Sequence, residues 1–152
     1  MTKTIYFDMD GTIADLYAVE NWLDMLIAEE ATPYAQAEPM WDMVKLSSAL
    51  NEWQKLGNRV GIVSWLSKNG STEYNKLVRK TKIEWLKDNL SIEIDELHIV
   101  KYGTPKQNIV RDKNGLLFDD EIGNREKWKG QAINPQTTDI LKIIEELIAQ
   151  SL

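Results

Sequence analysis

A chain of 152 residues, 43% of them hydrophobic, is long enough to close one core and too short for a second full domain. Its net charge of −6 argues against stable binding to a nucleic-acid backbone, and the lack of cysteine excludes disulfides and thiolate metal sites. No apolar run approaches bilayer length and Met1-Thr2-Lys3 leads straight into a strand pattern, so the expectation is one cytoplasmic domain over residues 1–152 that neither spans a membrane nor carries a signal peptide.

The run Thr4-Ile5-Tyr6-Phe7 is β-branched and aromatic and predicts a buried strand, with Asp8 and Asp10 at its carboxyl end. Residues i and i+2 of an extended chain share a face, so both carboxylates can reach one small site, and Gly11 lets the chain turn away without a Cβ penalty. Carboxylates that close repel unless a cation relieves them, and a hard divalent ion, Mg²⁺, suits the pair. Asp-x-Asp-Gly also occurs in ordinary turns and calcium loops. A calcium loop needs further oxygen ligands where Ile13, Ala14 and Leu16 stand.

Alternation of strands and helices then predicts an α/β fold, a parallel sheet covered on both faces, with no internal repeat or low-complexity tract. Residues 19–30 read as an amphipathic helix through Trp22, Leu23, Leu26 and Ile27, ending before Thr32-Pro33. A second helix is predicted from near Pro39, with Trp41, Val44, Leu50, Trp53 and Leu56 apolar and Gly57 at its end. The run from Arg59 to Ser64 is the second core strand. Ser71 or Thr72 caps a helix carrying Tyr74, Leu77, Ile83, Trp85 and Leu86 toward Asn89, whose lysines and arginines are read as a solvated face. Leu97 to Val100 is a third strand; its histidine, His98, is read as structural. A fourth, Gly115 to Phe118, ends in Asp119-Asp120-Glu121. A short strand at Ala132-Ile133 and a helix from Thr138 to about Gln150 complete the sheet and its cover.

Polar residues thus end four successive apolar strands: Asp8 and Asp10, then Ser64, then Lys101 or Lys106, then Asp119 and Asp120. Parallel strands bring them to one edge, where open α/β sheets bind ligands. The ordered set resembles the haloacid dehalogenase-like (HAD) phosphatase superfamily, whose first motif, Asp-x-Asp-Gly-Thr, is followed by a hydroxyl residue, a lysine and an acidic pair. The resemblance implies a Rossmann-like parallel sheet flanked by helices, with a small helical cap, residues 15–52, inserted after the first strand. It also implies a mechanism: Asp8 attacks phosphorus to form an aspartyl-phosphate, and Asp10 serves first as acid and then as base. Mg²⁺ would be held by Asp8, the backbone carbonyl of Asp10, and Asp119, with Asp120 supporting. Ser64, the backbone at Met9 and Trp65, and a lysine would bind the phosphoryl oxygens. Lys106, after Gly103-Thr104-Pro105 and opening a helix, is preferred to Lys101, which ends the strand directly.

An aspartate at position 10, where related transport ATPases carry threonine and dehalogenases lack the second acid, implies a phosphomonoesterase. The ending Leu117-Phe118-Asp119-Asp120-Glu121 followed by Asn124-Arg125, Trp128, Gly130 and Ala132 is similar to the 5′(3′)-deoxyribonucleotidase branch. That likeness implies deoxynucleoside monophosphates as substrates, with Asp120 or Glu121 and Asn124 supporting the metal loop. Tyr17, Trp41 and Trp65 are the aromatic candidates for facing a nucleotide base, the remaining tryptophans being read as core. The alternatives are a phosphatase of another small ester or of nucleic-acid ends, and a non-catalytic binding module of the same fold. A phosphoryl-accepting receiver is rejected by motif order, since its paired acids come first and its phosphorylated Asp after the third strand.

Overall fold

In the computed structural model, which describes residues 2–152, the apolar runs of the sequence become the strands of one sheet. The chain runs through β1 (Thr4–Phe7), β2 (Ala14–Asp15), a short 3-10 turn (Leu16–Ala18), α1 (Trp22–Ile27), α2 (Thr32–Gln36), β3 (Glu38–Pro39) and α3 (Met43–Lys55). It continues through β4 (Arg59–Trp65), α4 (Thr72–Asn89), β5 (Glu96–Val100), α5 (Lys106–Ile109) and β6 (Leu116–Phe118). The last elements are α6 (Ile122–Lys127), β7 (Ala132–Ile133) and α7 (Ile140–Gln150).

Five strands pair in parallel in the order β5-β4-β1-β6-β7, which is the α/β architecture expected from the alternating pattern. Phe7 lies between Ile62 and Phe118, so β1 is central. From β1 the chain crosses to β4 and β5 on one side, then returns to β6 and β7 on the other. The order therefore reverses at β1, and a crevice opens beyond its carboxyl end.

Successive β1 side chains point to opposite faces. Ile5 and Phe7 join the main core with Leu46, Leu50 and Trp53 of α3 and Ile140 and Ile144 of α7, whereas Tyr6 packs with Val63, Leu117 and Trp128. Within residues 15–52, α3 thus covers the sheet. The earlier part, from the 3-10 turn to α2, supplies residues to the crevice, and it is closed at its base by the antiparallel β2–β3 ribbon.

The ribbon explains one departure from the sequence pattern. Pro39 does not start a helix; it pairs with Ala14 in the ribbon, where a strand edge tolerates its missing N–H. Helix α3 starts four residues later because the Asp42 carboxylate accepts from Val44 N and Lys45 N, both at 3.1 Å. The helix expected over 19–30 is cut to six residues by left-handed backbone at Asn21 (φ 60°) and Glu29 (φ 59°), and a second short helix, α2, follows. Gly57, at φ 87°, ends α3, and Ser71 caps α4 by accepting from Tyr74 N at 3.1 Å, both as the sequence indicated. Among the described residues no helix is long and apolar enough to cross a membrane.

Candidate active site

The crevice beyond β1 collects carboxylates from two neighbouring strands. Sheet hydrogen bonding continues past β1, with Asp8 N donating to Phe118 O at 2.9 Å, so Asp8 leaves the sheet beside Asp119. The chain then turns sharply: Thr12, Ile13 and Ala14 all donate to Met9 O, and Gly11 adopts φ 78°. A Cβ on Gly11 would stand 2.3 Å from Asp120 Oδ2 and 3.0 Å from Tyr17 Cε2, so a glycine here is what lets Asp120 approach. One carboxylate oxygen from each of Asp8, Asp119 and Asp120 consequently lies within 4.8 Å of the others.

Two buried lysines face this group. Lys106, at the start of α5, donates to Asp8 Oδ1 at 2.8 Å and to Asp119 Oδ2 at 2.7 Å. Asp119 is fully buried and also accepts from Glu121 N at 2.9 Å and Asn124 Nδ2 at 3.1 Å, while Arg125 donates to its carbonyl. Lys82, from the middle of α4, donates to Asp10 Oδ2 and Ser64 Oγ at 2.8 Å and to Trp65 O at 2.7 Å. The Thr12 hydroxyl lies 3.3 Å from Asp8 Oδ2 and 3.5 Å from Asp120 Oδ1, and its single proton serves one or the other.

Four carboxylates thus share two ammonium groups, and the shortfall of positive charge is expressed in their protonation. Burial, reinforced by the Asp8 charge, pushes Asp119 up to about 6 and Asp120 up to about 8. Burial likewise raises Asp10, against the opposing pull of Lys82. For Lys106, burial alone would lower the ammonium, but Asp8 and Asp119 outweigh it and hold the group above the ordinary lysine range. A divalent cation among Asp8, Asp119 and Asp120 would supply the missing charge, and an all-oxygen donor set suits a hard ion such as Mg²⁺. The residues therefore fit a metal centre.

The cluster lines a cavity of about 390 Å³ whose remaining walls are largely apolar and aromatic. Tyr17 and Trp22 meet edge to face at 4.9 Å, Trp65 and Tyr102 meet tilted at 4.8 Å, and Leu16, Leu26 and Tyr34 line the same cavity. Burial and the neighbouring carboxylates raise the phenols of Tyr17 and Tyr34, so both stay neutral.

Of the residues singled out from sequence, Asp8, Asp10, Tyr17, Trp65, Lys106, Asp119 and Asp120 all line this cavity. Ser64 does not: it is fully buried beneath it and accepts from Lys82. Lys101 is exposed and outside the cavity. Trp41 must be corrected, since it packs against the main core and its indole N–H donates to Thr12 O at 2.7 Å behind the acidic loop, the usual need of a half-buried indole for an acceptor. Trp22, read as core, lines the cavity instead. His98 pairs with Glu96 at 2.8 Å, away from the site. The solvated-face reading of α4 fails at Lys82, which is 1% exposed. Its signal was present in the spacing: Tyr74, Val78 and Lys82 are four apart, and Trp85 and Leu86 continue the same inward stripe.

No protein-family model matches the chain, and no curated protein matches it. Among solved structures, a D,D-heptose 1,7-bisphosphate phosphatase from Burkholderia thailandensis is similar over 82% of this chain and 70% of its own, with a TM-score of 0.48 and 11% identity. A likeness that slight leaves the function to be read from the chain's own site.

Proposed function

We propose that this chain is a metal-dependent phosphomonoesterase of the HAD type, working through an aspartyl-phosphate on Asp8, with nucleoside monophosphates, deoxynucleotides first, as its substrates. The observation that carries the reading is the convergence of Asp8, Asp119, Asp120 and Lys106 with Asp10 in one cavity at the reversal point of a parallel sheet. Three carboxylates from β1 and β6 suit a cation, and a second aspartate two residues after the first suits an acid beside a nucleophile.

Asp8, Asp119 and Asp120, with the Asp10 carbonyl as the expected fourth ligand, would hold Mg²⁺, which when bound supplies positive charge to the phosphoryl oxygens. Lys106 orients Asp8 through its 2.8 Å bond. The Asp8 carboxylate then attacks phosphorus as the ester bond breaks, and the burial that raises Asp10 favours the protonated form it needs to donate to the leaving oxygen. Asp10, now ionised, takes a proton from the water that cleaves the Asp8–phosphate bond. In this arrangement Ser64 serves Lys82 rather than the phosphate. The aromatic walls at Tyr17, Trp22, Trp65 and Tyr102 support a planar leaving group such as a nucleoside, for which stacking is a favourable contact.

The test is Mg²⁺-dependent phosphate release from deoxy- and ribonucleoside 5′- and 3′-monophosphates, sugar phosphates and phosphorylated oligonucleotides, with Asp8→Asn as the blank. Selective release from deoxynucleotides, absent in Asp8→Asn, supports the reading. Release from sugar phosphates alone keeps the chemistry and discards the nucleotide, and undiminished turnover by Asp8→Asn refutes the nucleophile.

A further inference from the structure

Lys82 is the buried cation at the site whose three donors are all taken by protein acceptors. Its side chain is 1% exposed, and its ammonium lies 5.0 Å from the centre of the Tyr34 ring. An ammonium has three N–H donors. Here they go to Asp10 Oδ2, Ser64 Oγ and Trp65 O, at 2.7 to 2.8 Å, so none is left for a substrate phosphate. Lys106 differs, since its two bonds go to Asp8 and Asp119 and it lines the cavity itself.

From these contacts we infer that Lys82 is a positioning residue that ties the Asp10 carboxyl to the end of β4 and leaves Asp10 Oδ1 as the oxygen that meets the leaving group. Two of the three contacts, Ser64 and Trp65, lie on β4 where it pairs with Ile99 and Val100 of β5, so the anchor is held in the sheet. Asp10 itself sits on the turn beyond β1, and among the described residues Lys82 is the sole hydrogen-bond partner of its side chain. Remove Lys82 and nothing else sets the carboxyl's rotation, although proton transfer depends on that geometry. The residue comes from a helix outside the four strand ends that carry the other groups.

The inference rests on the phosphatase reading, and its test separates the two. First-turnover release would be measured for an alkyl phosphate, whose leaving oxygen needs a proton, and for nitrophenyl phosphate, whose leaving group needs little help. Lys82→Met should slow the alkyl ester about 100-fold, the usual scale of general acid catalysis, and the nitrophenyl ester far less. In an Asp10→Asn background the same substitution should cost no more than about threefold, because residues acting as a unit are non-additive. Equal slowing of both esters, or a full effect on top of Asp10→Asn, would mean that Lys82 only supports the fold and would overturn the inference. Should Lys82→Met fail to fold, Lys82→Leu, which likewise has no donor, is read in the same way. A wild-type protein inactive on both esters with Mg²⁺ sinks the phosphatase reading and this inference with it, whereas an active wild type with unselective Lys82 variants sinks the inference alone.

Discussion

Replacing Lys106 with methionine keeps most of a buried stem and deletes the charge that Asp8 and Asp119 share. Lys106 is 2% exposed and stands 2.8 and 2.7 Å from the two carboxylates, neither of which has another cation within ion-pair distance among the described residues. Removing one partner of a buried pair strands the other charges, and costs about 3–5 kcal/mol. For a chain of this size each kcal/mol lowers Tm by roughly 2–4 °C, so the metal-free variant should melt roughly 6–20 °C below wild type near pH 8. The loss must depend on pH in one direction. Without the ammonium that opposes its rise, Asp119 is driven further above the ordinary carboxylate range, and as pH falls a proton replaces the missing charge. Melting in chelator at about pH 5.5 and about pH 8 measures this, with the deficit shrinking at the lower pH and Mg²⁺ recovering part of it at the higher. A deficit below about 1 kcal/mol at the higher pH, or one that grows on acidification, would refute the charge-sharing argument.

Other consequences can be measured on the same protein. Asp119 and Asp120 sit at about 6 and about 8 against an ordinary 3.8, so between those values the folded chain binds more protons than the unfolded one. Their contribution to metal-free stability therefore falls as pH rises, and Mg²⁺, which needs both ionised, should raise Tm more near about pH 8.5 than near about pH 5.5; the opposite ranking would remove the pair as ligands. Gly11→Ala should cost about 1–3 kcal/mol and most of the turnover, because the new Cβ meets Asp120 and the backbone is left-handed there; a variant of full activity would show that Asp120 need not approach. Trp41→Phe should lose about 1 kcal/mol through its bond to Thr12 O with KM unchanged, while Trp22→Ala should raise KM; kinetics in which Trp41 alone moves KM would reverse the correction made to its role.

What could be read along the chain was whatever depends on neighbours in sequence. The apolar runs at Thr4–Phe7, Arg59–Ser64, Leu97–Val100 and Gly115–Phe118 read as strands, and polar residues directly after such strands have to share an edge if the strands are parallel. That local logic reaches Asp8, Asp10, Lys106, Asp119 and Asp120, because each lies within a few residues of a strand end or opens the next helix. It does not reach Lys82. A lysine on a helix is solvated by default, and only the packing of α4 against α2 and the end of β4 decides that this one points inward to Asp10, 72 residues away. Trp41 and Trp22 show the same limit, since both look like half-buried indoles and only the path of the chain between β2 and α3 turns one toward Thr12 O and the other toward the cavity. That path in turn hangs on two left-handed residues, Asn21 and Glu29, which the hydrophobic pattern of a single helix passes over. Strand identity and the order of acidic groups are therefore properties of the sequence, while the direction of a long side chain and the course of a loop are settled by tertiary packing, where a buried charge or indole must find the partner that the fold brings to it.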